Sequence, residues 1–489
     1  MLFSFENLYR QYLACRRNKR NTLNALKFEA RQEEHLVALR EALVARTYVP
    51  ARSVCFFAQG PKLREIFAAD FCDRVVHHVL VNYLEHIWEP RFIHDSYACR
   101  CGKGVHAAVE RLRQFVREAT CNGTRRAWYL QLDIRNYFMT IDRDILYARV
   151  AANLNDDDAL WLARVLIYHD CTENYVYRGP PGAYARIPPH KTLTGVPKNK
   201  GLPIGNLNSQ FFANVYLDGF DQFVKHTLKC RHYIRYCDDF VLLSPDPEQL
   251  REWRKHIEAY LREKLALELK TGRERLRSVS DGVDFIGYIV RRDYLLVRRR
   301  VVNNLKLKLK AFEAELVRTG PRVRRFRFDR ERLDLLFATL NSYLGHTQMA
   351  SATSLWRALW QRHAWLAAYF TFDPASASSP AAIFRRPKHA APANSTAITS
   401  GSFPRRWCCF RWESSSSSTN GAMRRWPRHS ISCRCAGTGA ARVTDFRWLR
   451  CECICRACSR RGARSWSSGR RTNILLRSKR GRRCADTRQ

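Results

Sequence analysis

The sequence predicts an α+β protein in which a mixed region of antiparallel strands and helices lies between two helical regions. Short apolar strands bounded by turn residues concentrate between residues 127 and 293. Helical periodicity precedes this region and returns over residues 294–370. The composition then changes abruptly over residues 371–489. These changes in sequence pattern predict four divisions of the chain: 1–126, 127–293, 294–370 and 371–489.

The N-terminal division predicts helices followed by two strands. Helical periodicity extends from Phe5 to about Arg46, strand patterns follow over residues 53–68, and further helices are expected near Phe71 to Glu89 and Val105 to Glu118. A Pro-, Gly- and Lys-rich loop over residues 172–200 is long for a compact domain. We therefore expect that loop to be either functional or mobile.

Two adjacent carboxylates form the most informative pattern. Asp238 and Asp239 follow an apolar, β-prone approach that ends at Tyr236, and an apolar run follows them. This pattern predicts a tight turn between two antiparallel strands. Adjacent aspartates are also ordinary in turns, so the pair gains meaning only from its context.

A third carboxylate supplies that context. Residues 127–132 read as a buried strand that ends at Asp133, and a helix is expected from Asp142. Two-metal phosphoryl transfer requires carboxylates from separate strands, which bridge two hard cations. Asp133, Asp238 and Asp239 would provide that set.

Two further motifs accompany the carboxylates, one between Asp133 and Asp238 and one after Asp239. Residues 201–210 form a Gly- and Pro-punctuated loop before a helix expected from Phe211 to about Lys229. A strand is expected at Leu265 to Lys270, and residues 284–290 predict an apolar hairpin.

The four motifs in this order resemble those of the reverse transcriptases, and the resemblance covers roughly Tyr48 to Tyr369. It implies a right-hand polymerase fold, with N-terminal helices and fingers (1–126), a palm (127–293) and a helical thumb (294–370). It also implies an RNA-directed DNA polymerase in which the three aspartates are catalytic and bind two Mg²⁺ ions.

The resemblance assigns the other site residues. Those implied to bind the incoming nucleotide are Lys62, Arg64, Phe138, Ile204, Gly205 and Gln210. Those implied to hold primer or template are Tyr236, Phe285, Gly287 and Tyr288. The Phe138 ring is implied to exclude a ribose 2′-OH, and core packing is its alternative role. Asp73 and Arg74 suit a structural ion pair at least as well as a substrate contact.

Within that family the chain looks most like the bacterial and phage enzymes of diversity-generating retroelements, because residues 204–210 read Ile-Gly-Asn-Leu-Asn-Ser-Gln. Asn208 departs from the usual Thr. This similarity implies error-prone copying at template adenines, with an RNA template, a DNA or RNA primer, dNTPs and a small helical accessory protein. A related antiphage-defence enzyme is the close alternative. A degenerate palm that only binds RNA is an alternative of another class.

Composition agrees with a nucleic-acid partner. The formal net charge is +40, and a field of this sign attracts polyanions. Basic runs such as Arg298 to Arg300 would follow a duplex without reading its sequence. We expect no membrane span and a cytoplasmic location, because no apolar run is long enough.

The last division has the composition of a disordered or out-of-frame segment. Residues 371–489 contain 23 arginines but only two lysines and five acidic residues. They also hold nine of the 18 cysteines, yet the cluster at 451–458 lacks the separated pairs of structural zinc sites. With so few aliphatic residues, this segment cannot bury enough apolar surface to offset chain entropy.

Overall fold

A computed structural model describes residues 1–17, 22–58, 63–180, 182, 184–272, 274–320, 324–350 and 352–372, with short strands at 384–385, 407–412 and 431–433. The chain divides into two compact units. The first contains residues 1–319 and 325–408, and the second contains 320–324 and 409–489.

The first part of the chain forms helices and strands where the periodicity predicts them. Its elements are α1 (Phe5–Arg16), α2 (Leu23–Glu29), α3 (Gln32–Val44), β1 (Ser53–Ala58), β2 (Arg64–Ala68), α4 (Phe71–Trp88) and α5 (Val105–Ala119). Strands β1 and β2 pair antiparallel. The apolar sides of α1 and α4 are buried in the main core, where Leu8 and Leu80 are fully enclosed.

The central region contains the expected strands and helices. Its elements are β3 (Trp128–Asp133), α6 (Tyr137–Thr140), α7 (Arg143–Ala151), α8 (Asp157–Tyr168), β4 (Tyr175–Tyr177), α9 (Leu207–Gln222), β5 (His232–Tyr236), β6 (Asp239–Ser244), α10 (Pro247–Leu265), β7 (Arg275–Ser278), β8 (Val283–Phe285), β9 (Tyr288–Val290) and β10 (Leu295–Val297). A four-stranded antiparallel sheet has the order β5-β6-β3-β7. A smaller sheet has the order β10-β9-β8.

Strand alternation gives the four-stranded sheet two apolar faces. Leu132, Phe240 and Leu242 pack into the main core with helices on one side. Tyr129 and Val241 point to the other face, where a second core contains residues of α5 and of the smaller sheet. Successive side chains of a strand point to opposite faces, so Asp133 and Asp239 share the second face.

Two predicted boundaries in this region are wrong. Helix α9 begins at Leu207 rather than Phe211, because Asn208 and Ser209 are buried inside its first turn. The strand expected at Leu265 to Lys270 is only a bridge between Leu269 and Ile134. The apolar face of α10 continues through Leu265, and β7 instead takes the edge of the sheet.

The long loop is attached to the strands of the first part. Strand β4 pairs in parallel with β1. The buried Glu65 carboxylate accepts a hydrogen bond from the backbone of Leu193 at 2.7 Å. The loop therefore braces β2, the strand that carries Arg64.

The C-terminal helices follow the hairpin strands. The remaining elements are α11 (Arg299–Leu316), β11 (Val317–Thr319), β12 (Arg324–Arg327), α12 (Arg330–Thr347), α13 (Thr353–Arg362), β13 (Thr371–Phe372), β14 (Phe384–Arg385), β15 (Trp407–Trp412) and β16 (Ile431–Cys433). Strands β15 and β16 pair antiparallel through residues 410–412 and 431–433. The rest of the predicted disordered tail lies outside the described residues.

Two absences hold within the described part of the chain. There, no helix combines the length and apolar character that a membrane crossing requires. The nine cysteines between residues 15 and 237 also form no disulfide with each other.

Candidate active site

The pairing of β3 with β6 brings two of the predicted carboxylates together. Asp133 ends β3 and lies directly opposite Asp239, which begins β6. Directly opposed side chains on antiparallel strands have Cβ atoms about 5 Å apart. Asp238 lies in the turn before β6, and its backbone carbonyl accepts a hydrogen bond from Ile134 at 3.3 Å. All three carboxylates therefore lie at one end of the sheet.

The turn that carries Asp238 is held in an uncommon conformation. Cys237 has a φ of +58°, in the left-handed region that costs a non-glycine residue about 1 kcal/mol. Its carbonyl accepts a hydrogen bond from Arg235 at 2.9 Å. A fixed partner for this carbonyl stabilises the turn and hence the positions of Asp238 and Asp239.

A buried ion pair fixes Arg235 in turn. Its guanidinium contacts the Asp221 carboxylate at 2.6 Å, and both side chains are fully buried. Ser96 and Asn214 accept further hydrogen bonds from the guanidinium, and Tyr233 donates to Asp221 at 2.7 Å. Burial alone would lower the pKa of Arg235, but the charge of Asp221 raises it above its ordinary value.

Negative charge accumulates where the three aspartates meet. Burial raises the pKa of Asp239 to about 7, and Asp133 and Asp238 add to the rise, while a hydrogen bond from Gln131 opposes it. Burial also raises the pKa of Asp238, and the charge of Asp133 adds to that effect. Mutual repulsion of this kind is relieved when a cation binds between the carboxylates.

The carboxylates open into a cleft of about 660 Å³, whose lining contains five arginines and five acidic residues. Its lining includes five arginines: Arg64, Arg275, Arg277, Arg298 and Arg300. Asp284 pairs with Arg275 at 2.8 Å and also with Arg298. The cleft thus joins a carboxylate cluster to guanidinium groups, which suit phosphate oxygens.

The donor atoms in the cleft fit a hard divalent cation. Mg²⁺ binds oxygen ligands, usually one or two carboxylates together with waters and substrate phosphates. Besides the three aspartates, Gln131 supplies a buried Oε1 with no hydrogen-bond partner among the described residues. The carboxylates also have competing partners, because Lys270 Nζ lies 3.3 Å from Asp133 and Gln131 Nε2 lies 3.0 Å from Asp239. Within the described ranges, no three His, Cys, Asp or Glu side chains form a group that could hold a metal ion as they are placed.

The predicted nucleotide residues lie on three elements. Arg64 lines the cleft, whereas Lys62 lies outside the described residues. The backbone of Phe67 in β2 donates to the Ile204 carbonyl at 3.2 Å, so the loop before α9 lies against β2. Gly205 has a φ of +119°, and a Cβ there would lie 2.8 Å from Ile66, so this close approach requires glycine.

The remaining residues that were expected to bind the nucleotide differ in side-chain burial. Phe138 is half-buried against the main core, and its carbonyl accepts a hydrogen bond from Leu202 at 2.8 Å. Ile204 is half-buried against a small apolar cluster that includes Phe67 and Met139. Gln210 is exposed on α9. None of the three is among the residues that line the carboxylate cleft.

The hairpin of β8 and β9 presents its polar residue to the cleft. Phe285 and Tyr288 are fully buried, and the Tyr288 hydroxyl donates to the His346 carbonyl of α12. Gly287 has a φ of +98°, and a Cβ there would lie 2.9 Å from the His346 ring. Tyr236 is half-buried beside the second core. Among the residues of this hairpin, Asp284 lines the cleft.

Several residues that line the cleft are not predicted by the sequence patterns. Arg275 and Arg277 belong to β7, a strand that the sequence analysis does not predict, and Asp284 lies in a hairpin predicted from its apolar residues. Arg298 and Arg300 were assigned to a duplex-tracking surface. The alternation of arginine with Leu276 is the sequence signal that could have located β7.

Asp73, the first residue of the pair Asp73 and Arg74, has a structural role. Asp73 is buried and accepts hydrogen bonds from the Tyr48 hydroxyl at 2.7 Å and the Ala51 backbone at 3.0 Å. Burial raises the pKa of Asp73, although these hydrogen bonds oppose the rise. Its partners are therefore neutral groups that connect α4 to the segment before β1.

Comparison with known proteins agrees with this geometry. The family profile of reverse transcriptase (RNA-dependent DNA polymerase) matches residues 59–290, which include all three aspartates and the strands that carry them. Residues 59–290 form a reverse transcriptase domain. The expected polymerase palm is thus confirmed, and the profile that matches it describes RNA-dependent DNA polymerases. The boundaries of fingers, palm and thumb remain predictions.

Individual relatives extend beyond this domain. Protein YkfC of Escherichia coli is 25% identical over 330 residues, which cover 60% of this chain and 81% of YkfC. The group II intron-encoded protein LtrA of Lactococcus lactis is 21% identical over 370 residues, which cover 61% of this chain and 57% of LtrA. A solved telomerase from Candida albicans covers 61% of this chain with 10% identity and a TM-score of 0.36, and 54% of its own chain is matched. The chain therefore spans little more than half of LtrA.

Proposed function

We propose that this reverse transcriptase copies an RNA template into cDNA from a DNA or RNA primer, with Asp133, Asp238 and Asp239 as the catalytic residues. The observation that supports this most is the pairing of Asp133 with Asp239 inside a cleft otherwise rich in arginine. A primer hydroxyl and a triphosphate are the reactants that such a cleft would bring together. Extension of a primer on a defined RNA tests the proposal.

The metal proposed for this site is Mg²⁺, as two ions held by the three aspartates. When bound, Mg²⁺ lowers the pKa of the attacking hydroxyl and neutralises charge on the leaving pyrophosphate. Arg64 and Lys62 are proposed to hold the triphosphate, and Gln210 to lie beside it. The other cleft arginines would position phosphates of the primer and template without reading sequence.

Four residues of the hairpin and turn are proposed to support the primer end. Tyr236 precedes the catalytic turn and would lie beside the primer terminus. The buried rings of Phe285 and Tyr288 would act indirectly, because they fix the hairpin that positions Asp284 and Gly287.

Phe138→Ala is expected to admit ribonucleotides, because the bulk of the ring opposes the 2′-OH. Relative incorporation of rNTP and dNTP by single-nucleotide extension measures the effect. Phe223→Ala is the matched control, since Phe223 is another half-buried ring, stacked on Tyr260 at 4.5 Å. Unchanged sugar discrimination in an active Phe138→Ala variant would assign this ring to core packing.

The finer proposal is error-prone copying at template adenines within a diversity-generating retroelement, aided by a small helical accessory protein. Its support is the motif at residues 204–210, where Ile204 provides an aliphatic side chain. An aliphatic group cannot form the hydrogen bond that a glutamine amide could form near the nucleotide. Mispairs would then lose less free energy relative to correct pairs.

Ile204→Gln is expected to reduce misincorporation opposite adenine by about fivefold, the value of one hydrogen bond of about 1 kcal/mol. Sequencing of cDNA copied from a defined RNA measures it, and Ile204→Leu serves as an apolar control. An accurate parent enzyme, or an active Gln variant with the same adenine errors, would favour another retroelement or an antiphage-defence role. Absence of synthesis by the parent would favour a protein that only binds RNA.

A further inference from the structure

A second cavity, with a basic lining, lies at the opposite end of β3 from the proposed catalytic carboxylates. It has a volume of about 890 Å³ and includes Trp128, the first residue of the strand, whereas Asp133 is the last. Five residue steps along a strand span roughly 17 Å. The second cavity is therefore distinct from the catalytic cleft, and the two share no lining residue.

Four arginines and one aspartate contribute to the lining of this cavity, so its charge is strongly positive. Arg291 is held by backbone carbonyls, because it donates to Ser280 at 2.6 Å and to Asp281 at 3.1 Å. Arg125 likewise donates to the Ala119 carbonyl at 3.2 Å. Carbonyl partners fix a guanidinium without neutralising it, so these cations are positioned and still available to an anion.

The other two arginines differ in their partners. Arg292 pairs with Asp293 at 2.8 Å and donates to the Asn122 carbonyl at the same distance. Arg126 is exposed and has no hydrogen-bond or ion-pair partner among the described residues. The buried Nε of Arg291 is also without a hydrogen-bond partner in that part of the chain. The cavity thus retains unused donors beside fixed positive charge.

Aromatic rings complete the lining. Tyr294 is 44% exposed, with the Arg291 guanidinium 5.9 Å from its ring centroid. Trp128 is half-buried, and Ser278 and Thr124 provide hydroxyl groups nearby. Exposed rings stack with bases, and adjacent guanidinium groups bind phosphates, which is how single strands are held without sequence preference.

Strand β7 connects this cavity to the catalytic cleft. Arg275 and Arg277 line the cleft, and Ser278 at the end of the same strand lines the second cavity. Their separation along the strand is at most about 10 Å. The side chains of Arg277 and Ser278 point to opposite faces of this edge strand, so a strand of nucleic acid that leaves the cleft would pass around its edge to reach the second cavity.

We propose that this cavity is an accessory site for single-stranded nucleic acid, which binds phosphates through Arg125, Arg126 and Arg291 and stacks a base on Tyr294. The site acts beside the polymerase centre and contributes affinity for a strand outside the cleft. Its ligand chemistry is shared by the RNA template and the cDNA product. RNA and DNA oligonucleotides of the same sequence distinguish these two sources.

The test measures binding of a short fluorescent single strand to the full chain whose catalytic cleft is saturated with an unlabelled RNA–DNA duplex. Tyr294→Ala is expected to weaken binding at least about fivefold, because a stacked base contributes this much or more. Arg126→Gln is expected to reduce the slope of log K against log salt by about 0.7, the value for one phosphate contact on a single strand. Extension of a short primer–template should be unchanged in both variants.

Matched substitutions elsewhere provide the controls. Tyr9→Ala removes a ring that is 40% exposed on α1, and Arg262→Gln removes an exposed charge on α10. Binding reduced in the site variants but not in these controls supports the proposal, whether RNA or DNA binds more tightly. Wild-type affinity in both site variants, or equal losses in the controls, would overturn it. Because the measured quantity is binding, this outcome is independent of whether the chain polymerises.

Discussion

Asp239→Asn is expected to lower the rate of primer extension by at least about three orders of magnitude, because several kcal/mol of transition-state stabilisation depend on the bound ions. Asn retains the size of the side chain and one oxygen, so the hydrogen bond from Gln131 can remain. Single-turnover extension in excess Mg²⁺ measures the loss. RNA affinity should change little.

The same substitution is expected to stabilise the metal-free protein. Burial raises the pKa of Asp239 to about 7, so between about pH 4 and 7 the folded state binds more protons than the unfolded state. Wild-type stability should therefore fall as pH rises through this window and level off above it. Asp239→Asn lacks this decline, with a difference on the order of 1 kcal/mol for each pKa unit.

Asp218→Asn is the matched control, since burial also raises the pKa of Asp218 in α9. It should gain stability without losing activity. Melting curves in chelator across this pH range provide the comparison. A loss of metal-free stability in Asp239→Asn would show that this carboxylate supports the fold. Substantial primer extension by the variant would show that the carboxylate is not catalytic.

Arg235→Met is expected to destabilise the fold by about 3–5 kcal/mol, because it leaves the buried Asp221 charge without its partner. It also removes the donor that holds the Cys237 carbonyl. Urea unfolding measures the first effect, and the rate of extension in the remaining folded protein measures the second.

A double variant separates these two roles. Arg235→Met with Asp221→Leu removes both buried charges, so it should recover most of the stability lost in Arg235→Met. It still lacks the contact to Cys237, so kcat should remain low while KM for dNTP changes little. Recovery of both stability and kcat would mean that Arg235 supports the fold alone and does not position the turn.

The central geometry was predictable because local patterns define it. The apolar runs around Asp238 and Asp239 predict a hairpin, and the buried strand before Asp133 predicts its neighbour. Pairing these strands at their polar ends was enough to bring the carboxylates together. The Arg235 network was not predictable, because its partners Asp221 and Ser96 are distant in sequence and meet only when α9 and the sheet pack.

Errors arose where tertiary packing decided between two local patterns. Leu265 suits a strand as well as a helix, and burial of the same face of α10 selects the helix. The polar sequence of β7 concealed a strand, because an edge strand with one face in a cleft needs few apolar residues. Asn208 and Ser209 resemble cap residues, yet they are buried within the first turn of α9.

Primer extension by the purified chain on a defined RNA, with dNTPs and Mg²⁺, tests the central claim most directly. Asp238→Asn and a chelator serve as matched negative reactions. The account predicts template-dependent cDNA that requires both the divalent ion and Asp238. Folded protein that binds the primer–template but makes no cDNA, or synthesis that persists in Asp238→Asn, would contradict it.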